Sequence, residues 1–379
     1  MLGGFTAAHF SHHVSNSLLN PLLPVIRDSF GLSYAQSGLL VSAFSLSLGL
    51  SNAPIGVLAD KVGSRPVIVW GLILTGLVSA AVAFSTEYWH LLALLVLMGL
   101  IAGSYHAPAA ALLARAFPPR VRGAAMGFHI TGGHLSFFAV PLCAAYLVGW
   151  TGTWSTPYLW LAWAPILTGA MIWFLVPKQP EQRRGSTDRL AVFRELRTVL
   201  KTVGPLVSTS ILFQMSYAAM LAFMTLYFVD VKGIDRLTAA ALFGVPHLVG
   251  LVGAPLGGYL SDRLGRKTVI MTGMGLMGPS VWALTAIPNE LVVLPLVAIG
   301  LAAAMRMTVT EVLVMDSAPD HRRATVMGSY HMLTQELGGF AAPVLGAVAG
   351  AIGIGAAFGG FALFLAVASA VVLIVGRRL

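Results

Sequence analysis

The sequence predicts an all-α membrane protein of twelve transmembrane helices, arranged as two pseudo-symmetric bundles of six. Hydrophobic residues make up 57% of the 379 residues and charged residues only 10%, whereas a soluble domain carries about 25% charged residues. The apolar stretches are about 20 residues long and do not alternate with polar residues, which is typical of helices that cross a bilayer. A charged block that recurs after about half the chain indicates two copies of one structural unit.

The charged block occurs first at Gly56–Arg65 as GVLADKVGSR and again at Gly258–Lys267 as GYLSDRLGRK. Other landmarks return at nearly the same offset, among them Pro118 as Pro319. Each copy of the block lies between two apolar stretches. Each unit is therefore expected to be a hydrophobic half-protein with a charged turn at the same place.

The apolar stretches place the twelve predicted spans along the chain. We expect them at approximately residues 3–26, 36–58, 65–85, 90–114, 122–148, 155–176, 203–229, 237–259, 268–287, 291–314, 323–350 and 354–376. Most loops are short, and the exception is the Arg-, Lys- and Glu-rich segment that joins the halves. The expected organisation is an N-terminal bundle over residues 1–177, a cytoplasmic linker over 178–201 and a C-terminal bundle over 202–379.

Lysine and arginine are distributed unevenly over the two faces of the predicted bundle. Most of the 23 fall in the loops on the side of the charged blocks and the linker, whereas Arg27, Lys232 and Arg236 lie on the other side. We call these sides the Lys/Arg-rich face and the opposite face. Because loops rich in Lys and Arg stay in the cytoplasm, both termini are expected to be cytoplasmic. The net charge of +9 then reflects topology and contact with membrane lipid, and nucleic acid is not expected as a partner.

The G-x-L-x-D-[RK]-x-G-x-[RK] block after spans 2 and 8, within two repeated halves, resembles the major facilitator superfamily over the whole chain. The N-terminal half is similar to the fosmidomycin-resistance efflux proteins of that superfamily at Ser11-His12, Phe30–Gly38, His106 with Pro108, and Gly132-Gly133. The resemblance implies the major facilitator fold and a monomeric secondary active transporter in a bacterial inner membrane. Such a protein moves a small-molecule substrate by alternating access and needs no cofactor.

The direction of transport is suggested by a second resemblance. Gly338, Pro343 and Gly346 in span 11 come near a motif that exporters of the superfamily carry in span 5. In span 5 of this chain, Pro141 is what remains of that motif. The resemblance therefore slightly favours efflux, without deciding between export and import.

In facilitator proteins the charged block resembles a latch, which holds the halves together on the cytoplasmic side when the cavity opens outward. The resemblance implies that the latch residues of this chain are Asp60, Arg65, Asp262, Arg263 and Arg266. Charge pairs that form in one state and break in the other are what a two-state gate requires. The alternative is that these charges only fix the topology of a tight turn.

Polar residues within the predicted spans indicate a cavity near the middle of the membrane. On span 1, His9, His13, Asn16 and Asn20 share one helical face. Polar side chains at that depth are costly in lipid and normally face a cavity, and spans 1, 4 and 5 line the cavity in proteins of this resemblance. We predict the following lining residues: His13, Asn16, His106, His129, His134, Gln214, His247, Arg306 and His331. The alternative is that each histidine merely bonds a neighbouring helix.

The C-terminal half carries the few charges that lie within spans. Arg306 and Glu336 fall at similar depth, and we expect them to pair, because an unpaired charge there is expensive. A carboxylate that changes partners can carry a proton. Glu311 and Glu336 are therefore the predicted proton-coupling residues, and protons are the predicted coupling ion. A static bridge between two helices is an equally weighted alternative.

The sequence thus predicts a proton-coupled transporter of a small polar or amphipathic solute, and two other functions stay open. Met220, Met224 and His247 offer thioether and imidazole groups that suit Cu(I), so a copper-type metal importer is one alternative. A membrane sensor that binds without transport is the other.

An enzyme is not expected, because the chain has no Walker loop, H-E-x-x-H or G-x-S-x-G motif. A G-x-G-x-x-G match at residues 273–278 lies inside an apolar span with no strand before it, so it does not indicate a dinucleotide-binding site.

Overall fold

The computed structural model of the chain describes residues 2–117, 119–176, 189–317 and 323–375. In these ranges the chain forms fifteen α-helices and one short 3-10 helix, and no strand occurs among the described residues. Side chains are described for most of these residues; those of Asp60, His331 and Glu336 are among the ones outside the described set. The all-α fold predicted from the sequence is confirmed.

The helices follow one another in two groups. In the N-terminal half they are α1 (Leu2–Asn16), α2 (Leu19–Phe30), α3 (Tyr34–Val62), α4 (Ser64–Val82), α5 (Tyr88–Ala102), α6 (His106–Ala116), α7 (Pro119–Thr151), α8 (Ser155–Leu161) and α9 (Trp163–Leu175). In the C-terminal half they are α10 (Arg189–Asp230), α11 (Arg236–Leu264), α12 (Arg266–Ala286), the 3-10 helix Asn289–Leu291, α13 (Val293–Ser317), α14 (Arg323–Ile352) and α15 (Ile354–Val375). They correspond to the twelve predicted spans, because α1 with α2, α5 with α6 and α8 with α9 each make up one span.

The predicted linker over residues 178–201 is described only in its second part. There α10 begins at Arg189 and runs without a break to Asp230, so this part continues the helix of the seventh span. The first part of the linker lies outside the described residues. The division of the chain into two bundles and a linker stays a prediction.

The first, fourth and sixth spans are each interrupted, which the sequence analysis did not predict. In the first span, the Ser17 hydroxyl donates to the backbone carbonyls of His13 (2.7 Å) and Val14 (3.2 Å) at the end of α1. The backbone bond from the Ser17 N–H to the His13 carbonyl is also present. Pro21, in the first turn of α2, has no N–H to donate to the Ser17 carbonyl, so the helix is interrupted between α1 and α2. In the fourth span, Gly103 follows the end of α5, and glycine stabilises a helix interior less than any residue except proline.

The charged block has the same backbone conformation in both halves. Gly63 separates α3 from α4 at φ 92° and ψ 148°, and Gly265 separates α11 from α12 at φ 87° and ψ 146°. Residues with a side chain rarely adopt such a φ, so both turns require glycine. The sequence repeat is therefore also a repeat of structure.

The two halves meet chiefly along two helix pairs, α3 with α14 and α7 with α11, and α2 also contacts α10 and α11. Glycines bring the first pair close together. A Cβ at Gly38 of α3 would lie 2.8 Å from the carbonyl oxygen of Ala342 in α14, and one at Gly346 of α14 would lie 2.6 Å from the carbonyl oxygen of Tyr34. Small residues allow such approach between membrane helices. Both contacts lie in the parts of these helices that are nearest the opposite face.

The outer surface of the bundle is apolar. Within the described residues, eight helical segments are long and apolar enough to cross a membrane. Large side chains are exposed on this surface, with Trp150, Trp160 and Phe174 exposed by 67%, 58% and 83%. Exposed apolar area of this extent is unusual on a soluble monomer and suits contact with lipid.

Candidate functional site

Five histidines of the N-terminal half lie side by side. His9, His12 and His13 belong to α1, His106 starts α6 and His129 belongs to α7; we call them the histidine cluster. The His9 ring stacks on His129 with 4.3 Å between centroids, and the rings of His13 and His106 are 5.2 Å apart. His9, His12 and His129 are buried, whereas His13 and His106 are half-buried. The i, i+4 spacing of His9 and His13 places both on one face of α1.

Hydrogen bonds orient the rings of the histidine cluster. His9 Nδ1 donates to the His129 carbonyl at 2.9 Å, and His129 Nδ1 donates to the Phe5 carbonyl at 3.0 Å. Because a carbonyl oxygen can only accept, both rings carry a proton on Nδ1. His9 Nε2 in turn lies 3.2 Å from His13 Nε2. The cluster therefore directs imidazole nitrogens toward one another.

His134 and His247 lie where the two halves meet. His247 of α11 stacks on Phe137 of α7, with ring centroids 4.7 Å apart and ring planes at 18°. A Cβ at Gly250 of α11 would lie 3.1 Å from His134 Nδ1, so α11 packs directly against that ring. One helix from each half thus brings a predicted cavity histidine to the interface.

Arg306 of α13 is a buried charge within the C-terminal half. Arg306 is 0% exposed. Nη1 donates to the Ser210 carbonyl (2.8 Å) and hydroxyl (2.7 Å), and Nη2 donates to Gln214 Oε1 (2.5 Å). These partners on α10 are neutral, so they orient the guanidinium without balancing its charge. The expected pair with Glu336 involves a side chain outside the described set and stays a prediction.

The remaining predicted lining and coupling residues are only partly described. Asn16 is half-buried, and its Oδ1 has no hydrogen-bond partner in the part of the chain that the structure covers. Glu311 is half-buried on α13, the helix that carries Arg306. His331 and Glu336 belong to α14, but their side chains lie outside the described set. Their roles as cavity and coupling residues stay predictions.

The charged block of the C-terminal half makes contacts inside that half. Asp262 at the end of α11 accepts a hydrogen bond from Arg266 at the start of α12 at 2.6 Å, across the turn at Gly265. The Arg263 guanidinium lies over the ring of Tyr259, 4.5 Å from its centroid. These described contacts join residues of the same half, and the latch role of the block stays a prediction.

The described contacts of the charged block of the N-terminal half also lie within that half. The Arg65 guanidinium lies over the Trp173 ring, 4.6 Å from its centroid, and donates to the Trp173 carbonyl. Both residues belong to the N-terminal half. The Asp60 side chain lies outside the described set, so its predicted latch contact stays a prediction.

Four charges join the two halves at the opposite face. Arg27 of α2 donates to the carboxylate of Asp230, the last residue of α10, through both Nη atoms. Asp28 accepts from Arg236, the first residue of α11, and also from Arg27 at 2.9 Å. We call these residues the four-charge cluster. Among the residues that the structure describes, the ion pairs between the halves lie here.

Tyr34 strengthens the four-charge cluster. Its hydroxyl donates to Asp230 at 2.7 Å. Burial and the hydrogen bond to the Asp230 carboxylate raise the pKa of Tyr34 to about 12, so the hydroxyl keeps its proton at neutral pH. This cluster was not predicted from the sequence. The available signal was the presence of opposite charges at the loop ends after the first span and around the loop between spans 7 and 8.

A family model described as Major Facilitator Superfamily matches residues 5–343 and 242–378 of the chain. The chain belongs to the major facilitator superfamily. It is therefore a multi-pass membrane transporter of small molecules and not an enzyme. The superfamily and the fold that the sequence predicted are confirmed.

Its curated relatives transport different solutes. The chain is 26% identical over 352 residues to multidrug resistance protein MdtG of Yersinia enterocolitica, which covers 88% of this chain and 83% of that protein. It is 25% identical over 272 residues to the hexuronate transporter of Bacillus subtilis, covering 68% of this chain and 63% of that protein. It is 30% identical over 267 residues to the probable nitrate/nitrite antiporter NarK1 of Thermus thermophilus, covering 66% and 58%.

Solved transporter structures share the fold. A bacterial homolog of the human lysosomal transporter Spinster, in an inward-facing and unoccupied conformation, matches with a TM-score of 0.84 and 17% identity over 99% of this chain and 96% of that one. A POT family transporter in complex with 5-aminolevulinic acid matches with a TM-score of 0.84 and 13% identity over 100% and 96%. At these identities the likeness concerns the fold alone.

Proposed function

We propose that the protein is a proton-coupled secondary transporter that works by alternating access, and that the conformation described here is closed at the opposite face. The observation that carries this proposal is the four-charge cluster, which joins the halves through ion pairs that a second conformation can break. The described contacts of Arg65, Asp262 and Arg263 at the Lys/Arg-rich face meanwhile lie within their own halves. Such a division of contacts supports a state that opens toward the Lys/Arg-rich face.

The orientation in the membrane is part of the proposal. Because Lys and Arg accumulate on the cytoplasmic side, the Lys/Arg-rich face is assigned to the cytoplasm. The four-charge cluster then lies at the periplasmic face of a bacterial inner membrane, and the state described here is open inward. The bacterial origin of the relatives supports this location.

The solute is proposed to be small, polar or amphipathic, and to carry an anionic group that Arg306 binds. A buried guanidinium held by neutral partners favours an anion beside it, because an uncompensated charge is costly in a region of low dielectric constant. Ser210 and Gln214 fix the orientation of the Arg306 guanidinium but do not neutralise its charge, which an anionic solute would do. The names of two relatives, a hexuronate transporter and a probable nitrate/nitrite antiporter, also specify anions.

Proton coupling is proposed to run through the carboxylates near Arg306. A solute anion that takes the place of Glu336 beside Arg306 leaves the carboxylate in a medium of low dielectric constant, where it binds a proton. Solute and proton would then travel in the same direction. The exporter-like residues of span 11 favour efflux instead, so the direction of flux relative to the proton gradient distinguishes the two mechanisms.

Flux into proteoliposomes tests this function. Purified protein is reconstituted with an imposed pH gradient, and the uptake of labelled glucuronate, nitrate and an uncharged sugar is compared. We expect flux of an anion that depends on the gradient, a strong reduction in Arg306→Gln, and partial retention in Arg306→Lys, which keeps the charge but loses the planar fork. Equal flux of the uncharged sugar, unchanged in Arg306→Gln, would show that Arg306 does not bind the solute.

The two alternative functions receive less support. Met220 and Met224 are 0% exposed within the apolar core, an environment in which methionine commonly serves as packing. His247, the third residue of the copper hypothesis, stacks on an aromatic ring. A sensor would bind solute without moving it, so the proteoliposome assay also decides between sensor and transporter.

A further inference from the structure

We propose that His9, His13 and His106 form a binding site for a divalent transition-metal ion inside the N-terminal bundle. Each ring offers one nitrogen, and the three nitrogens lie within 4.8 Å of one another. Two of the ligands come from α1 and one from α6. The site is distinct from Arg306 and from the methionines considered for copper, and it does not depend on the proposed solute.

The geometry of the first two ligands fits a metal ion. A tetrahedral Zn²⁺ with Zn–N bonds of about 2.0–2.1 Å holds its ligand nitrogens roughly 3.3 Å apart. His9 Nε2 and His13 Nε2 are already 3.2 Å apart. His106 is half-buried, and its ring would need to approach by roughly 1.5 Å to reach the same spacing.

The surroundings of His9 are those of a metal ligand. A ligating histidine usually donates its other ring N–H to a carbonyl or carboxylate, which fixes the ring and raises the basicity of the free nitrogen. His9 does this through Nδ1, which donates to the His129 carbonyl at 2.9 Å. His9 Nε2 therefore presents a lone pair toward His13.

His13 has a buried nitrogen that lacks a partner. Since the His9 proton is on Nδ1, a hydrogen bond between the two Nε2 atoms must use a proton of His13. His13 Nδ1 is then a lone pair, and it has no hydrogen-bond partner among the described residues. Buried polar atoms without partners are rare in native proteins. A metal ion that binds both Nε2 atoms takes the place of the bridging proton, which moves to His13 Nδ1.

A glycine makes room for this pair of rings. A Cβ at Gly133 of α7 would lie 2.9 Å from His9 Cε1 and 3.0 Å from His13 Cδ2. Imidazole ligands suit Zn²⁺, Co²⁺ and Ni²⁺, and three such ligands leave a fourth position for water or an anion. The structure thus points to a three-histidine site with one exchangeable position.

Titration calorimetry on the purified full-length chain tests the site, with a purification tag that contains no histidine. We expect the chain to bind one Zn²⁺, and His9→Ala, His13→Ala and His106→Ala each to weaken binding by at least about tenfold. His90→Ala is the matched control, because His90 is exposed on α5, outside the cluster; its affinity should equal that of the wild type. Absence of Zn²⁺ binding by the wild type, or unchanged binding in all three variants, would overturn the proposal.

A second measurement covers the case in which an alanine variant does not fold. Co²⁺ is added to the wild-type chain, and its visible absorption is recorded. Intense bands of tetrahedral Co²⁺ that disappear on adding excess Zn²⁺ support three imidazole ligands and one further ligand. The weak spectrum of octahedral, water-ligated Co²⁺ rejects the site. Both measurements record binding alone, so a failure of the proposed transport function would leave them interpretable.

Discussion

Removal of the Arg27–Asp230 pair is expected to shift the protein away from the conformation described here. The pair is bidentate, its side chains are only 16% and 17% exposed, and Tyr34 adds a hydrogen bond to the same carboxylate. We therefore assign it about 1.5–3 kcal/mol, as for hydrogen bonds to charged groups. The pair between Arg236 and Asp28 is 52% and 37% exposed and contributes at most about 1 kcal/mol.

A loss of about 2 kcal/mol from one of two states changes the ratio of their populations roughly 30-fold. Arg27→Gln and Asp230→Asn each remove the charge pair while keeping a polar side chain of similar size. If the population of the closed state in the wild type exceeds that of the other state by less than about 30-fold, the variants become mainly open at the opposite face. The effect acts on the equilibrium between conformations, so the folded protein itself should remain stable.

Distance measurements between spin labels read out this shift. Labels are placed at Ser29 and Leu237, exposed residues of the two halves beside the four-charge cluster, in a Cys143→Ser background because Cys143 is the one cysteine of the chain. We expect a longer distance to gain population in Arg27→Gln and Asp230→Asn. The charge-swapped double variant, Arg27→Asp with Asp230→Arg, should recover the short distance. Unchanged distance distributions in both single variants would show that the Arg27–Asp230 pair does not stabilise the closed state.

Three further predictions concern coupling, the latch and the repeated turn. Glu336→Gln should retain solute binding but abolish accumulation driven by a pH gradient, and full gradient-driven accumulation would make Glu336 a structural residue. Asp262→Asn should slow transport and disfavour the state that is closed at the Lys/Arg-rich face, measured by label distances across that face, while the unfolding temperature stays unchanged. Gly265→Ala should lower the free energy of unfolding by about 1–2 kcal/mol, because alanine is strained at positive φ. The control is Gly258→Ala, where an added Cβ meets nothing within 4 Å. An equal loss of unfolding free energy in both variants would show that backbone strain at position 265 is not the cause.

The features that the sequence predicted well are local or periodic. The turn at Gly63 and Gly265 is encoded by a short charged motif that occurs twice, and the spans are encoded by long apolar stretches. Such signals need no knowledge of which helices are neighbours. The break after α1 follows Pro21, which has no N–H to continue the helix. It was not predicted because a proline in an apolar stretch does not always end the helix: Pro54, Pro141 and Pro205 lie within unbroken helices.

The candidate sites needed information that the sequence does not contain. The four-charge cluster depends on the ends of α2, α10 and α11 being neighbours, which follows from how the two halves pack. The histidines could be placed at a similar depth by counting along spans. Their hydrogen bonds depend on the close approach of α1 and α7, which Gly132 allows: a Cβ there would lie 2.3 Å from the Thr6 carbonyl oxygen. The rotation of each helix about its axis then decides which nitrogens meet.

Solute flux in proteoliposomes whose pH gradient can be reversed tests proton-coupled alternating access directly. The Ser29→Cys, Leu237→Cys protein in the Cys143→Ser background is compared with and without a reversible crosslink between the two cysteines. We expect labelled anion flux to change direction when the gradient is reversed, to stop with a protonophore, and to stop while the opposite face is crosslinked. Flux that ignores the pH gradient, or that continues at full rate in the crosslinked protein, would contradict proton-coupled alternating access.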